Sequence, residues 1–344
     1  MLKLKFLLPL LLIALLLLTQ PALSQDQPSH LRFEVKHGFD GYVKDNLWTP
    51  IRITAGNAGE AVAGEIRIIT QYPGEHYVRR LTLPSQSQKE ITLFVPLRGG
   101  EYTLEFVNDA GKTLYRRRQQ SARMIPQGDF LVGVVASEPG LLNFLAGFQA
   151  PQSGYSVEVA HLSLDELPER ALALAALDAL VFNDVDTTQL TPARQDALAG
   201  WVKQGGKLIV GGGPNAAATV AGLSPLLPIE GLSVKTLDTL SDLGNLVNEV
   251  VPEQGPYLTG IPQPAPNAGV DLYEQGEAFL LSAPLGMGES IYFALDFALA
   301  PMNGWAGNEA FWKRLLDPLE SSPPFYASYN TPRAINKTIC FYEL

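Results

Sequence analysis

Cysteine is almost absent from this 344-residue chain, whose one cysteine is Cys340. A lone cysteine cannot close an intrachain disulfide, so the fold must depend on buried apolar side chains for its stability. Histidine is scarce as well, and the four histidines are His30, His37, His76 and His161. Zinc sites usually place a second histidine or cysteine within about five residues of the first, and none of the four has such a neighbour. The sequence therefore predicts no metal site and no cofactor.

An excess of basic residues is also lacking. Lysine and arginine total 25 against 35 aspartates and glutamates, which gives a net charge of −10. Such a chain has little attraction for phosphate backbones or anionic lipids, so nucleic acid is not an expected partner. Neither the G-x-S-x-G elbow nor the G-x-x-x-x-G-K-[ST] phosphate loop occurs. These absences exclude the serine α/β-hydrolases and the common P-loop nucleotide hydrolases.

Apolar runs of membrane-spanning length are missing, and the longest run, at residues 6–18, lies at the N-terminus. Two lysines precede this run, and the small residues Ala22 and Ser24 follow it at the spacing that signal peptidase accepts. The run is shorter than the roughly 20 residues of a transmembrane helix. We therefore expect residues 1–24 to be a signal peptide and the protein to be exported and extracytoplasmic, in the cell envelope or secreted. The alternative is an uncleaved segment that attaches the protein to the membrane.

Residues 25–125 contain short segments in which apolar and polar residues alternate. In one of them Ile51 and Ile53 lie on one face, and Arg52 and Thr54 lie on the other. Turn signals rich in glycine and asparagine separate these segments at spacings of about ten residues. The pattern predicts an all-β, Ig-like sandwich domain with seven strands, at residues 31–37, 48–55, 64–71, 76–83, 89–96, 101–107 and 112–118.

The pattern changes after an irregular, arginine-rich segment at residues 116–129, which we expect to be a linker. Continuous apolar runs such as DFLVGVVAS and DALVFND are typical of strands that are buried on both faces. Thr191 begins a helical repeat that Gly205 and Gly206 end. Alternating strands and helices predict an α/β, flavodoxin-like three-layer domain at residues 126–320.

Other segments of this region have weaker patterns. We expect a short helix at residues 139–148 and a long loop or insert at residues 237–269, which are rich in proline, glycine, asparagine and aspartate. Two further strands and a closing helix follow the insert. Residues 321–344 lack periodicity, and we expect them to be a loose tail.

Part of the region resembles a known family. The segments that carry the resemblance are DALVFNDVDTTQLTPARQDALAGWVKQGGKLIVGGGP and GMGESIYFALDFALAPMNGWAGNEAFWKRLL. They resemble the class I glutamine amidotransferase-like domains, including the trehalose-utilisation type, over residues 129–317. Active members use a cysteine on a nucleophile elbow with a later histidine and glutamate, whereas residues 126–320 contain no cysteine and one histidine, His161. The resemblance therefore implies a flavodoxin-like scaffold without amidotransferase activity.

A glycine-rich stretch, KLIVGGGPNAA, raises the question of nucleotide binding. Its residues 211–216 match G-x-G-x-x-A, but they follow the fourth strand of the domain, and the dinucleotide fingerprint belongs to the first. Pro214 removes one backbone N–H donor, and no strand ending in an acidic residue follows about 20 residues later. We therefore expect the glycines to permit a tight turn and close helix–sheet packing.

Ligands of open α/β sheets bind outside the carboxyl ends of the strands. The candidate ligand-binding residues at those ends are Ser137, Glu138, Asn183, Asp184, Asp186, Gly212, Gly213, Asn215, Asp296 and Trp305. Their hydroxyl, amide and carboxylate groups suit a polar ligand such as a sugar, with the tryptophan as a stacking face. In the alternative interpretation the polar residues are turn formers and caps, and the tryptophan belongs to the core.

Three hypotheses about function follow. We favour a non-catalytic exported protein, with no catalytic residue, that binds a polar small molecule or an envelope protein. A second hypothesis is a hydrolase or carbohydrate-active enzyme that uses Asp184, Asp186 or Asp296 as acid or base. The third is a component of a membrane-associated assembly, recruited through an edge of the sandwich by strand addition.

Overall fold

The computed structural model describes residues 30–71, 74–121, 123–148, 156–252 and 255–316, and the backbone of residues 337–340. The predicted signal peptide at residues 1–24 lies outside the described residues. Within the described part of the chain, no helix is both long and apolar enough to cross a membrane. The structure is rich in β-strands, which are arranged in several sheets.

The N-terminal part contains two larger sheets and one two-stranded sheet. Up to residue 125 the described strands are β1 (Leu31–His37), β2 (Tyr42–Lys44), β3 (Trp48–Asn57), β4 (Val62–Thr70), β5 (Glu75–Leu83), β6 (Ser87–Pro96), β7 (Glu101–Asn108), β8 (Thr113–Gln120) and β9 (Arg123–Ile125). Strands β1, β3 and β6 form one antiparallel sheet. Strands β5, β4, β7 and β8 lie in this order in the second, and β2 and β9 form the two-stranded sheet. All seven predicted strands are confirmed, with ends within two residues of the prediction.

The apolar faces of the two larger sheets share one core. Ile51 and Ile53 of β3 and Ile66 of β4 are fully buried in it. Phe33 contacts Phe106 of the facing sheet, with ring centroids 5.7 Å apart. Alternate side chains of a strand point to opposite faces, so the period-two sequence pattern produces these inward faces. The arrangement is compatible with a β-sandwich, and we call residues 30–125 the sandwich.

The predicted linker at residues 116–129 is partly strand. It contains the end of β8 and all of β9, which pairs in parallel with β2. Arg116 and Arg118 of β8 form ion pairs with Glu105 and Glu101 of β7. An edge strand accommodates such a run of arginines because one of its sides is open to water.

The C-terminal part is built on one seven-stranded sheet, which we call the mixed sheet. Its strands are β10 (Phe130–Ala136), β11 (Val157–His161), β12 (Ala179–Asn183), β13 (Lys207–Gly211), β16 (Gly269–Glu274), β17 (Glu277–Leu285) and β18 (Gly288–Phe293), in the order β11-β10-β12-β13-β18-β17-β16. The first five strands in this order, β11, β10, β12, β13 and β18, are parallel to one another. Strands β17 and β16 are antiparallel additions. Every residue of β12 is buried, as expected for a central strand covered on both faces.

The helices of the described residues are α1 (Pro192–Lys203), α2 (Ala216–Ala221), α3 (Ser241–Val247) and α4 (Asn308–Leu316). The predicted start of α1 is confirmed, because Thr191 Oγ1 accepts a hydrogen bond from the Arg194 N–H at 3.3 Å. The predicted stop is also confirmed, since Gly205 follows the helix with a φ of 116°. Sequence signals at the two ends of a helix are local, which explains this agreement.

The predicted helix at residues 139–148 is wrong. This segment contains one short 3-10 turn, Asn143–Leu145. Gly140 has a φ of 80° and Leu142 a φ of 68°. These left-handed conformations interrupt a right-handed helix before it can extend.

Residues 237–269, predicted to be a long loop or an insert, contain regular structure, so the loop alternative is wrong. Helix α3 lies in this segment, and β15 (Tyr257–Pro264) pairs with β14 (Ile229–Leu237) in an antiparallel ribbon. The carboxylate of Glu274, on β16, accepts a hydrogen bond from the Leu243 N–H at 2.8 Å and so caps the first turn of α3. This cap comes from a residue 31 positions away in the chain, where a local sequence pattern does not reveal it.

The segment predicted to be a loose tail contains a strand. Residues Lys337–Cys340 form β19, which pairs in parallel with the first half of β5. The second sheet of the sandwich therefore has the order β19-β5-β4-β7-β8. Without β19, β5 would be an edge strand, whose outer backbone groups are ready to pair with another strand.

Two partly buried polar contacts connect the sandwich to the part built on the mixed sheet. Lys44 of β2, 2% exposed, donates a hydrogen bond from Nζ to Oδ2 of Asp178 at 2.6 Å. Arg52 of β3 donates to the backbone carbonyl of Glu166 at 2.5 Å. Phe39, just before β2, is fully buried in the core of the mixed sheet. The two parts therefore share a packed interface.

Candidate functional site

Polar side chains from three strand ends meet at the carboxyl edge of the mixed sheet. Ser137 follows β10, Asp184 follows β12, and Asn215 lies in the turn after β13. Ser137 Oγ donates a hydrogen bond to Oδ2 of Asp184 at 2.5 Å, and Asn215 Nδ2 donates to Oδ1 at 2.5 Å. Ser137 and Asn215 are exposed, and Asp184 is partly exposed. We call these three residues the polar cluster.

The strand order explains the position of the polar cluster. Strands β10 and β12 are neighbours in the sheet. The connection after β10 leads to β11 on one side, and the connection after β12 leads to β13 on the other. In open α/β sheets such a change of direction leaves a crevice at the carboxyl ends, and ligands bind there. Asp184 has a left-handed φ of 52°, a conformation that aspartate tolerates better than most residues. The polar cluster therefore lies at the carboxyl edge of the mixed sheet, by the ends of β10, β12 and β13.

Two other predicted residues are buried and join neighbouring segments. Asn183 is fully buried, and its Nδ2 donates to Oδ1 of Asp296 at 2.8 Å. Its Oδ1 accepts a hydrogen bond from the Phe297 N–H at 2.9 Å. Asp296, 6% exposed, also accepts from the Ala298 N–H at 2.7 Å. Buried polar groups are tolerated when they are hydrogen-bonded, and these bonds connect the end of β12 to the segment after β18.

Asp186 has a capping role at the surface. Its carboxylate accepts hydrogen bonds from the N–H of Thr188 at 3.1 Å and from the Oγ1 of Thr188 at 2.5 Å. Gln189 Nε2 donates to it at 3.3 Å. These hydrogen bonds hold the pKa of Asp186 below its usual value. The side chains of Thr188 and Gln189 contribute most to this lowering. The carboxylate therefore stays ionised and caps the 3-10 turn Thr187–Gln189.

The aspartates on either side of Val185 do not form a cation site together. Asp184 belongs to the polar cluster, whereas Asp186 caps the following turn. Among the described residues, no three histidine, cysteine, aspartate or glutamate side chains converge in a way that could hold a metal ion.

The glycine turn after β13 is crowded by other backbone segments. A Cβ atom on Gly212 would lie 2.7 Å from the backbone carbonyl of Ala294. A Cβ atom on Gly213 would lie 2.7 Å from the Cβ of Asp296. Gly213 also has a φ of 93°, in the left-handed region. The turn therefore has no room for a side chain at either position.

Strand β15 covers this turn. The Gly260 N–H donates to the Ala294 carbonyl at 2.9 Å, and Tyr292 Oη donates to the Gly260 carbonyl at 2.7 Å. A Cβ atom on Gly260 would lie 2.7 Å from the Cβ of Ala216. Glycine is thus needed on both sides of the contact between β15 and the turn.

One backbone donor of the turn is already engaged. The Gly212 N–H donates to the carbonyl oxygens of Phe293 at 2.7 Å and Leu295 at 2.9 Å. Pro214 has no N–H group. Gly212 and Pro214 therefore offer no open N–H group to a pyrophosphate of the kind that dinucleotide-binding turns hold.

The remaining predicted residues have different surroundings. Glu138 is exposed on the segment after β10. Trp305 is 4% exposed, and its Nε1 donates to the carbonyl of Val250 at 3.0 Å. A buried indole whose N–H is already bonded offers no open face for stacking on a sugar.

A cleft of about 430 Å³ lies beside α3. Its lining includes Ser241, Asn245, Glu249 and Tyr257. A cavity of this size is in the lower part of the range for small-molecule sites. Sequence reasoning missed the cleft because its residues fall within the predicted loop at 237–269.

A family model gives one match to this chain. It describes a domain of unknown function, DUF8726, and it matches residues 30–122. The matched residues cover strands β1 to β8 and end before the mixed sheet. No curated protein matches the chain.

Several solved structures are similar to parts of the chain. "Cytoplasmic Protein STM1381" from Salmonella typhimurium LT2 is 18% identical, with a TM-score of 0.43, over 54% of this chain and 98% of the other. "Cytoplasmic Protein STM3548" from Salmonella typhimurium is 14% identical, with a TM-score of 0.39, over 63% and 95% of the two chains. The exo-β-1,4-mannosidase Op5Man5 from Opitutaceae bacterium strain TAV5 is 13% identical, with a TM-score of 0.34, over 55% and 35%.

Proposed function

We propose that this chain is a non-catalytic exported binding protein. Its C-terminal part is a flavodoxin-like α/β domain related to the class I glutamine amidotransferase-like fold, and an Ig-like sandwich precedes it. The order of the parallel strands supports this assignment. Numbered along the chain, β10, β11, β12, β13 and β18 lie in the order 2-1-3-4-5, which is the flavodoxin-like order.

The crowding of the glycine turn is the observation that carries the proposal. A nucleophile elbow needs a side chain on a sharp strand-to-helix turn, with space beside it for a substrate. Here a side chain on Gly212 or Gly213 collides with neighbouring backbone or with Asp296, and β15 packs over the turn. The scaffold therefore supports binding better than covalent catalysis.

The carboxylates give little support to the hydrolase hypothesis. Asp296 is buried and hydrogen-bonded to Asn183, and Asp186 caps a turn with a lowered pKa. A general acid at neutral pH needs a raised pKa and access to the substrate. Asp186 is exposed but acts as a cap, and Asp184 is partly exposed in the polar cluster.

The polar cluster is the proposed ligand site. The Asp184 carboxylate accepts hydrogen bonds from Ser137 and Asn215, and both donors are exposed. Ligand hydroxyl groups can replace or extend these hydrogen bonds, because hydroxyls both donate and accept. The expected ligand is a small polar molecule such as a sugar.

The test compares two aspartate variants of the full protein. Glucose, trehalose and a panel of other mono- and disaccharides are titrated and followed by isothermal calorimetry. We expect Asp184→Asn to weaken binding of a panel member at least tenfold, and Asp186→Asn to leave it within about twofold. The ligand proposal fails if no sugar binds, or if both variants bind like the wild type.

Turnover is tested separately on the same protein. Glutamine, other amides and glycosides are offered as substrates, and we expect no hydrolysis. Turnover that a single substitution in residues 129–317 abolishes would overturn the non-catalytic assignment.

Export is proposed from the N-terminal sequence. The mature chain is expected to begin at Gln25 after cleavage behind Ser24. Intact-mass measurement of protein isolated from the extracytoplasmic fraction tests this, and a chain that keeps residues 1–24 would contradict cleavage.

A further inference from the structure

The β5 edge of the sandwich accepts a strand from a distant part of the chain. On its inner side, β5 pairs with β4 from His76 to Leu83. On its outer side, β19 pairs with it in parallel, with Lys337 opposite Glu75 and Cys340 opposite Val78. The described strand β19 thus covers four of the nine residues of β5.

The sandwich has its own strands without β19. The DUF8726 match ends at residue 122 and includes β1 to β8. The strand beside β5 is therefore supplied from outside the matched domain. In the matched domain alone, β5 is an edge with backbone donors and acceptors open for strand addition.

The opposite edge of the same sheet is less suited to strand addition. Strand β8 carries three consecutive exposed arginines, residues 116–118. Two of them contact glutamates of β7. Charged side chains along an edge disfavour pairing with another chain.

The side chains of β5 indicate which strand would fit. Tyr77, Leu81 and Leu83 are buried in the sandwich core, and Arg80 and Thr82 are exposed. A strand that pairs along all of β5 would place every second residue on the core face of the sheet and the others on its solvent face. A fitting partner therefore has apolar residues at every second position of an extended segment.

We propose that the outer edge of β5 is a docking site for an extended polypeptide segment of a partner protein, which adds in parallel to β5. Residues Lys337–Cys340 occupy part of this site until the partner segment displaces them. A segment that pairs with more of β5 gains more backbone hydrogen bonds than the short strand β19, so it competes successfully. This inference concerns the sandwich and does not depend on ligand binding at the polar cluster.

The first experiment uses the single cysteine of the full chain. In the variant Val78→Cys the two cysteines are direct register partners on adjacent strands, about 4.8 Å apart, within the Cα spacing of disulfides. We expect diamide to oxidise them to an intramolecular disulfide, seen as a faster monomer band in non-reducing electrophoresis. The control Thr82→Cys places its cysteine four residues further along β5, roughly 13 Å away, and is expected to form no such band.

The second experiment asks whether the site is exchangeable. The probe is a fluorescein-labelled nine-residue peptide with apolar residues at alternate positions, long enough to pair with all of β5. We expect the peptide to bind the reduced Val78→Cys chain and to bind the disulfide-linked chain at least tenfold more weakly. Reduction of the disulfide with dithiothreitol is expected to restore the binding affinity. Fluorescence anisotropy measures the three states.

Three results would overturn the proposal. They are a folded Val78→Cys chain that forms no intramolecular disulfide, a disulfide found only in dimers, and peptide binding that is absent or unaffected by the intramolecular disulfide. If circular dichroism shows that Val78→Cys is unfolded, a triple variant replaces it. This variant combines His76→Cys, Thr338→Cys and Cys340→Ser, and its two cysteines lie opposite each other in the same register.

Discussion

Gly213 lies at the most crowded point of the glycine turn. It combines a left-handed φ of 93° with a position where a Cβ would lie 2.7 Å from Asp296. Gly304 has a similar φ of 88°, but nothing lies within 4 Å of its Cβ position. The two glycines therefore separate the cost of backbone strain from the cost of a collision.

Gly213→Ala is expected to lower the free energy of unfolding by about 3 kcal/mol, since strain and overpacking add. Gly304→Ala is expected to lower it by about 1 kcal/mol, from strain alone. Urea denaturation followed by circular dichroism measures both. Equal losses in the two variants would show that the turn is not crowded.

Residue types alone left two interpretations of the candidate site. Asparagine and aspartate at strand ends suit both ligand binding and turn formation. Burial separates them, because Asn183 and Asp296 are enclosed and bonded to each other, whereas Ser137 and Asn215 are exposed. Burial depends on the segments packed around a residue, so the local sequence could not predict it.

At the scale of elements, α1 tests how far a local signal stabilises a helix. Thr191→Ala removes the acceptor for the Arg194 N–H and is expected to cost about 1 kcal/mol of unfolding free energy. Thr191→Ser keeps a hydroxyl acceptor and is expected to cost much less. Thermal denaturation of the two variants is the measurement, and equal losses would argue against the cap.

Helix α3 and the β14–β15 ribbon show where local signals are insufficient. Their sequence is rich in turn-forming residues, and it predicted a long loop or an insert without naming a helix or strand. The N-terminus of α3 is capped by Glu274, and Gln275 also donates a hydrogen bond to the carbonyl of Thr239. These contacts hold the helix against the hairpin of β16 and β17, so its stability comes from tertiary contacts rather than propensity.

At the scale of the whole molecule, the ion pair between Lys44 and Asp178 is the main charged contact of the interface. Lys44→Met leaves a buried carboxylate without its partner, and we expect a loss of about 3–5 kcal/mol of unfolding free energy. The control is Lys235→Met, which breaks an exposed pair with Glu277 and is expected to cost less than about 1 kcal/mol. Comparable losses in chemical denaturation would contradict the role of burial.

The loss in Lys44→Met is expected to depend on pH. Burial raises the pKa of Asp178, against the opposing effects of Lys44 and of the Leu131 N–H. A carboxyl with a higher pKa in the folded state binds its proton more tightly there, so stability falls as pH rises from about 4 through the folded-state pKa. Without Lys44 the folded-state pKa rises further, because the attraction of the ammonium group is gone.

The penalty of Lys44→Met should therefore shrink as pH is lowered from about 7 towards about 4, since protonation neutralises the unpaired carboxyl. Denaturation of wild type and variant across this range measures the change. A penalty that stays constant with pH would show that Asp178 does not titrate as described.

The sequence by itself determined the alternating strands of the sandwich, the buried strands of the mixed sheet, the ends of α1 and the lack of a cysteine nucleophile in residues 126–320. These properties depend on residues that are neighbours in the chain, through the period of a strand, a helix cap or the mere presence of a residue type. Only the tertiary structure decided which polar residues form the exposed cluster, why the glycine turn excludes side chains, and which strand β19 joins. Those properties arise from contacts between segments far apart in the chain, and the local pattern of either segment does not contain them.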